Sequence, residues 1–290
     1  MSKAICIVIA AASMFFTSVG AANGATVGIA DQSPAMFTDP SFTKLGVKLS
    51  RLIVPYDVVG QPNDRAQTDQ WIAAAQKAGV APLISFEHSR AQPKKRPSVA
   101  EYTAAFKAFR QRYPSVTTIS PFNEANHQTQ PTYHRPRLAA QYYNAVRANC
   151  PGCKIVALDV LDQGGMVEYV KAFKRTAKKP RIWGLHNYRD TNRFRTSGTK
   201  ALLKVTKGQI WFTETGGIVS FSKAFRYNEK RAARALKQMF KLTRLSKRIK
   251  RLYIYAWFGE PRGARFDAGL VGPNGQQRPG YLVVKKKLGR

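Results

Sequence analysis

Eight short runs rich in β-branched and aromatic residues punctuate the chain, and between them lie longer segments whose apolar residues recur at helical spacing. The expected strands are Thr26 to Asp31, Leu49 to Asp57, Pro82 to Glu87, Thr117 to Glu124, Lys154 to Asp159, Arg181 to Tyr188, Gln209 to Glu214 and Arg251 to Trp257. Expected helices cover Thr68 to Ala78, Val99 to Arg112, Arg137 to Asn149, Met166 to Ala177, Asn228 to Leu245 and Tyr281 to Leu288. In the fifth of these, Ala232, Leu236, Met239, Phe240 and Leu242 fall on one face, and Lys230, Arg234, Lys237, Lys241 and Arg244 on the other. Strand starts recur at intervals of about 33 residues, the length of one strand-helix unit. Such alternation implies a parallel sheet, because a parallel crossover needs a helix-length connection. Eight units with no linker or second domain between them are the requirement of an α/β fold with a single (β/α)8 TIM barrel. An open, doubly wound sheet satisfies the same alternation without closure.

Residues 1–25 stand apart. Lys3 is followed by an uncharged, mostly apolar run from Ala4 to Phe16 and by the small residues of Ser18 to Ala25, the layout of a secretory signal peptide. A leader cut after Ala22 or Ala25 is therefore expected, with residues 26–290 as the barrel and a mature protein that is secreted. An uncleaved anchor is the alternative, although the run is shorter than the ~20 apolar residues of a bilayer span. Removal of the leader takes Cys6 with it and leaves Cys150-Pro151-Gly152-Cys153. Two cysteines this close in an exported chain suggest a disulfide. A redox pair of the thioredoxin type belongs between a strand and the helix after it, whereas here a helix precedes and a strand follows.

Charge narrows the partners. Lys and Arg number 48 against 16 Asp and Glu, a net +32, and residues 146–290 supply +25 of it with 33 bases and 8 acids. At 44% hydrophobic residues the chain still has the means to bury a core, unlike a disordered basic tail. The bases crowd helices, as in Lys171, Lys174, Arg175, Lys178 and Lys179. Nine acids instead fall at or just past strand ends: Asp31, Asp57, Glu87, Glu124, Asp159, Asp162, Asp190, Glu214 and Glu260. In a barrel those ends build the active site.

Two of the nine have distinctive surroundings. Ser120-Pro121-Phe122-Asn123-Glu124 closes the fourth strand and Trp211-Phe212-Thr213-Glu214 closes the seventh. Two facing carboxyl groups suit glycoside hydrolysis, where one donates a proton to the leaving oxygen while the other attacks or activates water. On these residues the chain resembles the retaining glycoside hydrolases of clan A, which include the cellulase-type and the β-xylosidase and iduronidase-type barrels. The resemblance implies Glu124 as general acid/base, Asn123 on the sugar 2-hydroxyl and Glu214 as nucleophile. It further implies that Arg51 keeps the nucleophile ionised, that His186 and Tyr188 hold it by hydrogen bonds, and that Trp257 forms an aromatic floor beneath the sugar.

Other chemistries lack their motifs: there is no His-Glu-x-x-His helix, phosphate loop, dinucleotide glycine pattern or Gly-x-Ser-x-Gly elbow. No metal or cofactor is expected, and the spacing of His88, His127 and His134 names no metal site. The expected partners are a carbohydrate in the cleft and an anionic envelope or matrix surface against the basic helices, with no specific nucleic acid and a monomeric chain. A catalytically inactive barrel that binds polysaccharide, and a basic envelope-binding protein, are the competing readings.

Overall fold

The computed structural model describes residues 24–290, so the expected leader up to residue 23, with Cys6, lies outside the described residues. Eight parallel strands close into a barrel in the order β1 (Thr26–Ala30), β2 (Leu49–Pro55), β3 (Ala81–Glu87), β4 (Thr118–Ser120), β5 (Lys154–Leu161), β6 (Ile182–His186), β7 (Gln209–Thr215) and β9 (Ile249–Tyr255). β9 pairs back onto β1 from Thr26 opposite Arg251 to Ala30 opposite Tyr255, which decides between the closed and open arrangements. Two further strands, β8 (Ser220–Phe221) and β10 (Phe266–Asp267), form a two-residue antiparallel ribbon outside the barrel.

Helices α1 (Pro40–Leu45), α2 (Pro62–Lys77), α3 (Val99–Arg112), α4 (Pro136–Asn149), α5 (Met166–Lys174), α6 (Tyr188–Asn192), α7 (Ser197–Val205), α8 (Glu229–Leu242) and α9 (Pro279–Lys287) complete the fold. Three of them, α1, α6 and α7, are absent from the sequence expectations; α1 and α6, of six and five residues, are too short to show a helical period, whereas α7 has nine. α2 starts six residues earlier than expected, at Pro62, whose fixed φ suits a first helical turn. β4 is shorter than expected because Pro121, with no N–H to offer a ladder, follows directly on Ser120. Among the described residues no helix is long and apolar enough to cross a membrane. A disulfide joins Cys150 to Cys153 in the turn from α4 to β5.

Alternation along the strands sorts side chains into two cores. Outward residues such as Leu52, Val54, Ile84 and Phe86 pack against the helices, where Tyr102 of α3 stacks on Tyr142 of α4 at 4.2 Å. Inward residues Leu83, Val156, Trp211 and Tyr253 fill the lower barrel, with the Arg251 guanidinium 4.1 Å over the Trp211 ring. Above them the barrel interior turns polar, with Arg51, Ser85, Ser120, Asp159 and Thr213 all buried. Strict period 2 delivers Ser85 and Thr213, two residues past Leu83 and Trp211, but not Asp159, three past Val156. The β5–β6 register shifts between Val156 and Asp159, and the β6–β7 register between Gly184 and His186. Each irregularity admits an extra residue and re-aims the side chains that follow.

Gly184 makes room for this polar layer, since a Cβ there would overlap Asp159 Oδ1 and crowd Thr213 Oγ1. Gly184→Ala is therefore expected to lower stability by about 2 kcal/mol or more, the usual penalty of an overfilled core. Gly60→Ala, which meets nothing within 4 Å, is expected to stay within ~0.5 kcal/mol of the parent. Equal urea midpoints for the two variants would refute this account of the site.

Candidate active site

The polar layer is organised by Arg51, which β2 points inward and which is 1% exposed. Its Nη1 donates to Glu214 Oε2 at 2.6 Å, its Nη2 to Asn123 Oδ1 at 2.6 Å and its Nε to Ser85 Oγ at 3.0 Å. Asp159 Oδ2 lies 3.7 Å from Nη2 and itself accepts from Ser120 Oγ at 2.6 Å, while Asp159 Oδ1 accepts from Thr213 Oγ1 at 2.7 Å. A guanidinium with planar, fixed donors is suited to this fan of acceptors in a way a lysine ammonium is not. Burial alone would lower its proton affinity, but the Glu214 and Asp159 charges outweigh that and keep it cationic.

Glu214, at the end of β7, is held at both oxygens, because Tyr188 OH donates to Oε1 at 2.9 Å. Burial first, and then the Glu214 charge, push the Tyr188 phenol well above its ordinary range, so it remains a donor. Glu124 follows β4 with a left-handed backbone, φ 43°, an uncommon state for a residue with a β-carbon. Its neighbours pin that turn: Asn123 N donates to Phe86 O at 2.6 Å and Ala125 N to Asp159 O at 2.9 Å. His186 Nδ1 lies 3.1 Å from Glu124 Oε1. Burial would raise the Glu124 carboxyl, yet the hydrogen bond and charge of His186 prevail and hold it below the usual range. His186 moves the other way: burial would lower it, and Glu214 and Glu124 together raise it. Both shifts favour the same arrangement, an imidazolium against a carboxylate.

One ligand atom each from Glu124, His186 and Glu214 lies within 4.8 Å of the others. That spacing also fits a cation. Here, however, both Glu214 oxygens are already engaged, and a metal ion would sit against the fixed Arg51 guanidinium.

Six expected site residues therefore converge: Glu124, Glu214, Asn123, Arg51, His186 and Tyr188. One of them makes a different contact from the one expected. His186 bonds Glu124 at 3.1 Å and stays 4.0 Å from Glu214, so it supports the other carboxylate. Asn123 gives its carbonyl to Arg51, which leaves the amide nitrogen as the group able to meet a sugar hydroxyl. Trp257 is a correction. β9 ends at Tyr255, and beyond it the chain leaves the strand, so Trp257 is fully buried outside the barrel. Its ring packs on Phe42 and Tyr281, and its Nε1 donates to Asp39 Oδ2 at 3.0 Å. Tyr255 takes the inward place, close enough for the Glu214 charge to add to burial in raising its phenol. Parity with the inward Tyr253 was the signal for it. Tyr255 is thus a site residue absent from the expectations, and Asp159, expected only as one of nine acids at strand ends, belongs to the site as the second carboxylate of Arg51.

No protein-family model matches the chain, and no curated protein sequence does. Solved structures do match in fold. An enzyme of glycoside hydrolase subfamily 5_18 from Streptomyces cattleya superposes with a TM-score of 0.67 at 14% identity, covering 92% of this chain and 80% of that one. A family 10 endoxylanase from a sugarcane soil metagenome gives 0.66 at 13%, covering 92% and 97%. A family 39 β-xylosidase from Caulobacter crescentus gives 0.60 at 16%, covering 90% and 70%. The chain spans 63% of the length of another family 39 glycoside hydrolase, from Bacteroides cellulosilyticus. All are clan A glycoside hydrolases, and the (β/α)8 barrel is common to them and this chain.

Replacing Arg51 by Met leaves Glu214 and Asp159 buried without their cation, a change expected to destabilise by about 3–5 kcal/mol at pH 7. Urea unfolding at pH 7 measures it, and a loss of less than ~1 kcal/mol would show that the guanidinium is not what holds the layer together.

Proposed function

We propose that this chain is a secreted retaining glycosidase that hydrolyses the O-glycosyl bonds of a neutral oligo- or polysaccharide. The observation that carries the reading is the pair of carboxyl groups at the barrel mouth, with Glu124 and Glu214 oxygens within 4.8 Å. Retaining enzymes hold their carboxyl groups about 5–5.5 Å apart, whereas inverting ones leave ~6.5–9.5 Å for a water. The sequence of residues 1–25 and the Cys150–Cys153 disulfide support export. Acids at the mouth, Glu87 among them, favour an uncharged sugar over a polyanionic one.

In this reading Glu214 attacks the anomeric carbon while Glu124 delivers a proton to the departing oxygen. Arg51 and Tyr188 fix both Glu214 oxygens, which orients the carboxylate before attack. The proton for the leaving group comes from the shared His186–Glu124 pair. Water then enters on the vacated side, Glu124 removes its proton, the water oxygen bonds to the anomeric carbon as the bond to Glu214 breaks, and the sugar leaves with its configuration retained. Tyr255, half-buried at the end of β9, takes the place expected of Trp257 as the eighth-strand aromatic group facing the sugar.

Glu214→Ala should abolish turnover of an activated aryl glycoside in a variant that still folds but is less stable for loss of the Arg51 partner, and azide should yield a glycosyl azide. Near-normal turnover in that variant would place the nucleophile elsewhere. Glu124→Ala should lose about 10²–10⁴-fold in kcat with a substrate whose leaving group needs a proton.

The alkaline limb of kcat/KM should follow loss of the proton shared by His186 and Glu124. Although burial lowers the His186 imidazole, the Glu214 and Glu124 charges raise it overall, so the limb is expected on the alkaline side of an ordinary histidine. His186→Gln leaves Glu124 to carry the proton as a carboxylic acid, so the limb should move to lower pH. An unmoved limb would exclude the pair as its source.

A further inference from the structure

α8 and α9 lie side by side on the outer wall of the barrel and enclose a groove of about 670 Å³. Its composition follows from helical spacing. Lys237, Lys241 and Arg244 recur every three or four residues along α8 and the turn after it, and Lys286 and Lys287 one turn beyond Leu282 and Val283 on α9. Five exposed bases thus rim a floor made of Phe240, Leu282 and Val283. Leu282 is 55% exposed, one of three large hydrophobic residues that the described surface leaves in water. Among the described residues none of the five bases has a carboxylate within 4 Å.

Bases near helix C-termini are favoured by the macrodipole, which accounts for charge at those ends. It does not account for an uncovered leucine between them. A ligand that matches the groove needs negative charge at its rim and an apolar portion at its centre. A soluble polyanion supplies the first alone. A second copy of this chain would set five bases against five, and residues 1–23 contain Lys3 but no acid. We propose that the α8–α9 groove docks the protein on an anionic phospholipid surface, with lipid phosphates among the five bases and acyl carbons against Leu282, Val283 and Phe240. Lys and Arg side chains with long apolar stems are suited to that interface. The inference stands apart from the glycosidase reading and uses none of its residues.

The test is flotation of the full chain with phosphatidylcholine vesicles, with and without phosphatidylglycerol, and in parallel its binding to dextran sulfate. Binding should require phosphatidylglycerol. Reversal of three rim bases, Lys237→Glu with Lys241→Glu and Lys286→Glu, should weaken it about a hundredfold or more. The same net charge change on the α5 side, Lys171→Glu with Arg175→Glu and Lys178→Glu, should weaken it far less. Leu282→Ser should lower vesicle affinity about tenfold without changing dextran sulfate affinity or the unfolding midpoint. Equal losses in the two triple variants would overturn the proposal in favour of a general charge effect. Unchanged vesicle binding in Leu282→Ser would overturn it in favour of a site for polyanions.

Discussion

A cation without water is the constraint around which the barrel is built. Moving a guanidinium into a protein interior is unfavourable by several kcal/mol unless charge and hydrogen bonds replace its hydration. Arg51 obtains them from Glu214, Asn123, Ser85 and Asp159, contributed by β7, the β4 loop, β3 and β5. Those segments can meet one residue only inside a closed barrel, so closure and the positions of the candidate catalytic groups are a single problem. Asp159 illustrates the dependence. Its second oxygen is held by Thr213, one residue before Glu214, so the carboxylate that balances Arg51 also helps set where the nucleophile sits.

Much of this was legible in the sequence. Eight apolar runs at regular intervals mark the strands, and the acids at their ends mark the mouth. What period 2 could not reveal are the places where the period fails. Asp159 faces inward three residues after the inward Val156, because the ladder slips between them. Trp257 shares the parity of Tyr253 and Tyr255 but lies past the end of β9. Choosing the site aromatic by residue type selected Trp257, whereas the strand selects Tyr255. The acids at strand ends also serve more than catalysis. Asp31 accepts from the Trp257 and Phe258 amides, Asp162 from Arg189 and Asp190, and Asp190 from Gly198 and Thr199. A carboxylate is a strong acceptor for loop N–H groups, and from sequence that use is indistinguishable from a catalytic one.

Scarcity of acid links interior and surface. With 16 acids for 48 bases, a carboxylate committed to the barrel or to a loop is one fewer on the outside. Surface pairs such as Arg112 with Asp69 and Arg90 with Asp64 are correspondingly few. The outer wall therefore carries an uncompensated field, strongest along the C-terminal half, and it is on that wall that the α8–α9 groove opens.

The barrel seam has a consequence for how the chain reaches its fold. β1 begins at Thr26, and one of its two neighbours is β9, which ends at Tyr255. The Asp31 side chain that fastens the seam accepts from Trp257, 226 residues away. Contacts of that span form late, since loop closure must be accomplished before they contribute. As the chain emerges from its N-terminus, β1 has one edge without a partner until nearly all of it has been made, and such an edge invites pairing with other chains. A polypeptide whose ring closes only at its last strand therefore carries its aggregation hazard at its first one.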